Sequence, residues 1–543
     1  MKKYLFLAAA AMGFAACSEQ GLQNDAEQTG ELEQSYVSVT LKSDDAATRA
    51  GEFEYGEADE RFVENVHFFF FKDDESAFPV TGVGDKNYIS FTLNSNGTQP
   101  GETGEPNQGP NVSDVKDKII VLNNYKGQYP AYIVAVLNWD SSKMQQSYSM
   151  NNLYNALADI RNAGDHFVMS TSVYADIQGK VVKANNLTLA NIGKTEADAL
   201  ANPVEIYVER ISAKVQVEAE GNVSGKVATY DVNETVEDVP VYAKVLKWEL
   251  YNEYHQSIVL KHIYPDTWGM ADEIGFLWND ANRFRSYWAG SYTGDFPADN
   301  HFDWADGFDS GDAAYCGENT RQAVVDSEGK ITSDPRTKVI IKAQLVNAAG
   351  DPVEVGVWYG HKYLTEKAVR AEVASLLASQ IFYADGTEYK PVSEADLKVV
   401  PAEQAAAGSD IEAYEVFFQL SDAGAAKDWY TYSNASGYQA YSDDALNTYL
   451  ADIEPAMIYK NGMTYYSTDI RHSGAAGSAS EFGVVRNHVY KVNITNISGI
   501  GTPVYDEDFD FDTPERPVDS QSYVAAEVRI LSWRVVENDY SVN

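Results

Sequence analysis

Cysteine is almost absent from this chain: Cys17 and Cys316 are the only two in 543 residues. A chain of this length can bury enough apolar surface to be stable without cross-links, so a disulfide-stapled architecture is excluded. Histidine is also scarce, at eight residues, and no His-Glu-x-x-His pair occurs. His255 and His262 lie seven positions apart, on opposite faces of an extended chain, so zinc ligation has nothing to rest on. Basic charge is heavily outweighed, with 41 Lys and Arg against 81 Asp and Glu and a net charge of −40. That balance excludes the basic stripe that nucleic-acid phosphates require, and it points to an exposed, self-repelling surface. Beyond the first sixteen residues, no apolar run reaches the length of about 20 residues that a membrane-spanning helix needs.

Short catalytic and metal motifs fail in the same way. Gly307-Phe308-Asp309-Ser310-Gly311-Asp312 contains the Asp-Ser-Gly of a serine nucleophile, but no histidine stands in a matching context, and a triad needs three groups in mutual reach. It reads as an acidic surface turn. Asp506, Asp508, Asp510 and Asp512 alternate, yet a calcium loop needs glycine at its sixth position and glutamate at its twelfth, which here are Phe511 and Pro517. Gly82 and Gly84 lack the Lys-Ser/Thr of a phosphate loop. No cofactor and no enzymatic activity are expected.

Strand signals are abundant, and 36 tyrosines suit a β-rich fold. Val37 to Leu41 alternates apolar and polar residues, as does Val204 to Val217. Val66 to Phe71 and Tyr132 to Leu137 are unbroken apolar runs suited to a sandwich interior. Val241 to Leu250, Thr337 to Leu345, Val353 to Tyr359, Ala413 to Leu420, His488 to Ile497 and Tyr523 to Val536 are further candidate strands. Two helices are expected. One carries Leu153, Leu157 and Ile160 on one face and ends at Gly164; the other spans Thr365 to Ala378, with Val369, Val373 and Leu376 on one side. Asn94 to Asp114 and Tyr264 to Gly317 read as long loops. The pattern predicts a mostly β chain of two sandwich domains, 50–221 and 222–513, with a few short helices.

The two ends are the most informative parts. Lys2 and Lys3, the apolar stretch Tyr4 to Ala16, and Phe14-Ala15-Ala16-Cys17 form a lipoprotein signal, 1–17, with Cys17 as the acylation point, the site of a palmitate. Residues 18–49 then form a propeptide. It contains a strand with Val37, Val39 and Leu41 on one face, followed by a small, polar linker where proteases cut folded chains. Arg49, followed by Ala50, offers the cleavage site. The last segment, 514–543, is a linker and a strand. Val524, Ala526, Val528 and Ile530 share one face, and the phase slips so that Leu531, Trp533 and Val535 continue it. A bulge or bend near Leu531-Ser532 reconciles the halves. Loss of the first strand leaves an apolar groove that a strand from another subunit can fill, giving a head-to-tail polymer. Six or seven buried side chains at about 1.5–3 kcal/mol each give an upper figure of about 10–20 kcal/mol before ordering costs.

With the lipobox at Cys17, the pieces Thr48-Arg49-Ala50-Gly51, Val208-Glu209-Arg210-Ile211-Ser212-Ala213-Lys214-Val215, Val485-Arg486-Asn487-His488-Val489-Tyr490-Lys491-Val492, Gly499-Ile500-Gly501 and Val528 to Val535 occur in order over nearly the whole chain. In these the sequence resembles the major fimbrillins of Bacteroidales type V pili, and is most similar to the short-fimbria major subunits. The resemblance implies transthyretin-like sandwiches, outer-membrane lipoprotein export, cleavage after Arg49 by an arginine-specific protease, and donor-strand polymerisation into a surface fimbria. Its expected partners are other copies, accessory fimbrial subunits and a surface receptor, and its expected role is adhesion and biofilm formation. Ser532 stands where many members have proline, which leaves the bend less rigid. Two alternatives stay open: a tip or accessory subunit, and a glycan-binding surface lipoprotein using the aromatic loop at 264–317.

Overall fold

The computed structural model describes residues 32–42, 53–57, 59–80, 86–93, 118–125, 127–176, 180–219, 226–230, 239–263, 283–284, 289–293, 298–299, 304, 306–329, 331–401, 414–472, 477–506 and 523–534. The first sandwich begins with strand β1 (Leu32–Lys42). Strand β2 (Phe53–Tyr55) follows in sequence but joins the second sandwich. The first is completed by β3 (Asn65–Phe71), β4 (Tyr88–Thr92), β5 (Lys118–Tyr125), β6 (Tyr132–Leu137), β7 (Met169–Thr171) and β8 (Val204–Arg210). Their order across the sheet is β5-β1-β8-β7-β6-β3-β4. The unbroken apolar runs of β3 and β6 have a simple cause: both faces are covered. Phe68, Phe70, Ile133 and Ala135 enter one core together with Val37, Val39 and Leu41. Phe69, Phe71, Val134 and Val136 enter another, with Trp139 and Leu260. A strand wet on one face alternates, whereas one buried on both has no reason to.

The helix expected through Leu153, Leu157 and Ile160 does not form. Helix α1 (Met150–Tyr154) stops at Asn155, whose side-chain amide donates to Asn151 O at 2.8 Å. Leu157–Asp159 is instead extended and pairs antiparallel with Gln256–Ile258. That partner lies far along the chain, where local periodicity carries no information. Helix α2 (Glu196–Ala201) opens with a capping box made by Thr195 and Asp198 and packs across β1.

The chain changes sandwich at Ile211, between β8 and β9 (Ser212–Ala219), so β9 lies ahead of residue 221 but already belongs to the second sandwich. Next come β10 (Lys226–Tyr230), β11 (Val239–Tyr251), β12 (Ala313–Gly317) and β13 (Lys338–Val346). The supposed loop to Gly317 therefore ends in a strand. Gly317 is required there, since a Cβ would sit 2.2 Å from Gln256 O. An appended lobe follows with helix α3 (Glu366–Leu377), strands β14 (Ile381–Asp385), β15 (Glu388–Pro391), β16 (Trp429–Ser433) and β17 (Gly437–Tyr441), and its own core. In α3 the buried stripe is Val369, Val373 and Leu377, while Leu376 points outward at 51 % exposure. The chain closes with β18 (Met463–Asp469), β19 (His488–Ser498), β20 (Thr502–Pro503) and β21 (Tyr523–Arg534).

Two sheets, β2-β21-β19-β9-β12 and β10-β11-β13-β18-β20, form the second sandwich. Val215, Ala314, Tyr490 and Val492 from the first meet Trp248, Val339, Ile341 and Tyr466 from the second in a single core. The chain is thus mostly β, with two sandwiches and a few short helices.

Candidate assembly site

β1 is an interior strand of its sheet. Residues Leu32 to Val39 pair antiparallel with Tyr125 to Lys118 of β5. Its other edge meets Ile192–Gly193 antiparallel, then Val204 to Tyr207 of β8 in parallel register with Val39 to Lys42. Alternation carries Val37, Val39 and Leu41 into the core, where their exposures are 0 %, 0 % and 1 %. At about 1.5–3 kcal/mol for each fully buried aliphatic side chain, the three contribute about 5–9 kcal/mol. Withdrawing β1 would expose a slot lined by β5 and β8 and leave both ladders without partners.

β1 and β2 stand in different sheets and are joined by residues 43–52. Cys17, Arg49 and Ala50 lie outside the described residues. Because β2 is anchored in the second sandwich, a cut anywhere in 43–52 removes the covalent link from β1 to the body, and among the described residues ladder and burial then hold it.

β21 lies within its own chain, between β19, antiparallel, and β2, parallel. The register sets Ala526, Val528 and Ile530 opposite Ile494, Val492 and Tyr490, and Leu531 opposite Val489. Val524 stands opposite Ile497, and Trp533 opposite Glu54 of β2; Val535 lies outside the described residues. The irregularity expected at Leu531-Ser532 falls elsewhere. Pairing runs unbroken there, and the register shift is between Ile494 and Asn496 on β19, facing Ala526 and Ala525. The slip in apolar phase falls opposite Val489 and Tyr490 of β19. At this end β19 is buried on both faces, with Tyr490 in the sandwich core and Val489 against Phe167 of the first sandwich, both at 0 % exposure.

Sequence reasoning assigned no task to the Arg210–Lys214 and Arg486–Asn487 segments, yet they build the junction between the sandwiches. Glu60, only a few residues past β2, is buried at 2 % exposure. Its Oε1 receives Lys214 Nζ at 3.0 Å and the Tyr315 hydroxyl, while its carbonyl accepts from Arg210 Nε at 2.7 Å. Burial alone raises the Glu60 pKa, but the Tyr315 hydrogen bond and the charges of Arg210 and Lys214 outweigh it and hold the carboxyl below its usual range. Burial and the Glu60 carboxylate push the Tyr315 phenol well up. Arg486 pairs with Glu318 at 3.2 Å, both fully inside, and its guanidinium also donates to the carbonyls of Ile258 and Val259 at 2.7 and 3.1 Å. Asn487, at φ 57°, donates its N–H to Ser212 O at 2.7 Å. The available signal was a cluster of charged residues inside apolar strands, which implies buried partners.

The discounted motifs sit where surface turns belong. Asp309 N bonds Asp312 Oδ2 at 3.1 Å, and Ala219 N donates to Ser310 Oγ at 3.3 Å. His262 stacks on Tyr154 with ring centroids 4.0 Å apart. Cys316 is buried as a free thiol. Among the described residues no three His, Cys, Asp or Glu side chains converge to hold a metal. Gly82, Gly84 and Asp508 to Asp512 lie outside the described residues.

Residues 457–539 match the family model of the major fimbrial subunit protein type IV, fimbrillin, C-terminal. The matched region holds β19 and β21. No curated protein sequence matches the chain. Among solved structures, a fimbrilin from Porphyromonas gingivalis W83 is 13% identical, covers 93% of this chain and 98% of its own, and superposes with a TM-score of 0.37. The tip fimbrial protein Mfa3 from Porphyromonas gingivalis, with C-terminal truncation, is 11% identical over 92% of this chain and 100% of its own, at 0.30. A fimbrial assembly protein from Parabacteroides distasonis ATCC 8503 is 11% identical over 62% and 86%, at 0.24.

Proposed function

We propose that this chain, fimbrillin-like over residues 457–539, is a stalk subunit of a surface fimbria that matures by losing β1 and polymerises by donor-strand exchange. Export as a lipoprotein acylated at Cys17, carriage to the outer membrane, and cleavage between Arg49 and Ala50 precede assembly. One observation carries the reading: β1 is fully built into its sheet, yet only the segment 43–52, which holds Arg49, ties it to the next strand. After cleavage, an incoming strand takes its place.

β21 has the right form for the donor. It spans twelve residues against eleven for β1, and each strand has an antiparallel neighbour on one edge and a parallel one on the other, the latter edge of β1 also meeting Ile192–Gly193 antiparallel. Val524, Ala526, Val528 and Ile530 recur at the two-residue spacing of Ser35, Val37, Val39 and Leu41. Transfer from its own sheet to the slot of the next subunit conserves the ladder and makes the contact heterologous, so it propagates as a filament. Adhesion and biofilm formation follow from such a polymer, and accessory subunits would share its strand exchange.

The test mixes the chain from Cys17 onward with an arginine-specific protease and runs the product on a denaturing gel without boiling. Ladders are expected from the wild type and none from Arg49→Ala. Monomers alone, with residues 17–49 demonstrably removed, would sink the proposal. Deletion of 522–543 should abolish the ladders; their persistence would place the donor elsewhere.

A further inference from the structure

We propose that the outward face of the four-stranded sheet β15-β14-β16-β17 is a binding platform for a neutral carbohydrate chain. The site is distinct from the strand-exchange elements, since neither β1 nor β21 belongs to this lobe, and it does not depend on the assembly reading. None of its residues falls within 264–317.

Register fixes the composition of the face. Phe382 pairs with Tyr430 and with Pro391, Ala384 with Tyr389, Tyr430 with Ala440, and Tyr432 with Tyr438. Directly paired residues and their i+2 neighbours share a side, so all eight lie together. Five are aromatic and none is charged. The ionic residues of the same strands, Asp385, Glu388 and Lys390, fall on the opposite side in the register, where Ile381, Tyr383 and Trp429 pack on the lobe core. Tyr389, Tyr432 and Tyr438 are 39 %, 41 % and 37 % exposed.

The rings hold one another in place. Tyr389 stacks on Tyr438 with centroids 3.7 Å apart and planes 10° apart. Tyr430 meets Tyr389 edge-on at 4.9 Å, and Phe382 meets Tyr438 edge-on at 5.3 Å. The phenol oxygens of Tyr389, Tyr430, Tyr432 and Tyr438 have no hydrogen-bond partner among the described residues. The face therefore offers pre-ordered apolar rings together with unused hydroxyl donors and acceptors.

That combination selects the occupant. An uncharged patch on a chain of net charge −40 gives no attraction to an anionic partner, and a second copy brings another −40 against it. A protein face buried on it would have to match four hydroxyls or lose their hydration. A neutral sugar meets both demands: its C–H face lies on the rings, and its hydroxyls exchange bonds with the phenols. Four strands span about 14 Å between outer strand axes, which suits a short run of sugar units lying flat rather than one enclosed in a pocket.

The test is affinity electrophoresis of the chain from Ser18 onward in gels containing soluble hydroxyethylcellulose, xylan, galactomannan or dextran, with calorimetry on the strongest. Retardation by at least one neutral polysaccharide is expected, and it should survive roughly 0.5 M NaCl because no charge is involved. Tyr432→Ala combined with Tyr438→Ala should weaken binding at least about tenfold. The pair Tyr432→Phe and Tyr438→Phe keeps the rings and fold, checked by circular dichroism, and should weaken it by a smaller factor. Absence of retardation in all four gels overturns the proposal. So does binding undiminished by the alanine pair, or self-association in sedimentation that the alanine pair abolishes.

Discussion

Glu60 shows how much can rest on one buried carboxylate. It receives Lys214, Tyr315 and Arg210, so it ties the segment after β2 to both β9 and β12 and to the end of β8. Its folded pKa is depressed below the ordinary 4.5. Its stabilising contribution is therefore fully present above that value and is lost as pH falls through the lower, folded one. Glu60→Gln should lower stability at pH 7 by about 3 kcal/mol, since it removes the charge facing buried Lys214. It should also flatten the loss of stability below pH 4.5. Urea titrations of both proteins across that range test this, and equal slopes would refute it. Gly317→Ala should cost about 1–3 kcal/mol by overpacking, because the new methyl meets the backbone oxygen of Gln256 rather than a movable side chain. A thermal melt measures it.

At the scale of elements, β1 and β21 differ in how far sequence could read them. The alternation of Val37, Val39 and Leu41 is visible in eleven residues, and the structure buries all three. The unbroken run Val66 to Phe71 announced burial, and the two covered faces of β3 account for it. Leu157 misled, because its extended conformation depends on pairing with Ile258, which no local pattern encodes. The phase slip at Leu531 was visible, and the register sets it opposite Val489, which meets the other sandwich. If β1 is held by ladder and burial alone once 43–52 is cut, weakening its apolar face should speed its release. Val39→Ser should accelerate dissociation of the cleaved strand about tenfold or more, given about 1.5–3 kcal/mol of lost burial. Mass spectrometry of the retained fragment after proteolysis follows it, and an unchanged rate would mean another contact holds the strand.

For the whole molecule, the net charge of −40 opposes any association of like subunits. Ladder growth after cleavage should be several-fold faster at about 150 mM than at about 10 mM salt, because the screening length shrinks from about 30 Å to about 8 Å. Quantified gel ladders against time measure this. A rate independent of salt would place the rate-limiting step in β1 release rather than in encounter.

The sequence by itself determined the β-rich class, the sandwich plan and the apolar face of β1. Each of these is written in local periodicity, which responds to whether a face is wet or dry. Tertiary structure alone decided that β1 is an interior strand joined to the next only through 43–52. It alone brought Glu60 to Lys214, and Arg486 to Glu318, across long stretches of chain. Strand order and buried charge pairing are set by which distant segments exclude water from one another, and no run of neighbouring residues records that choice.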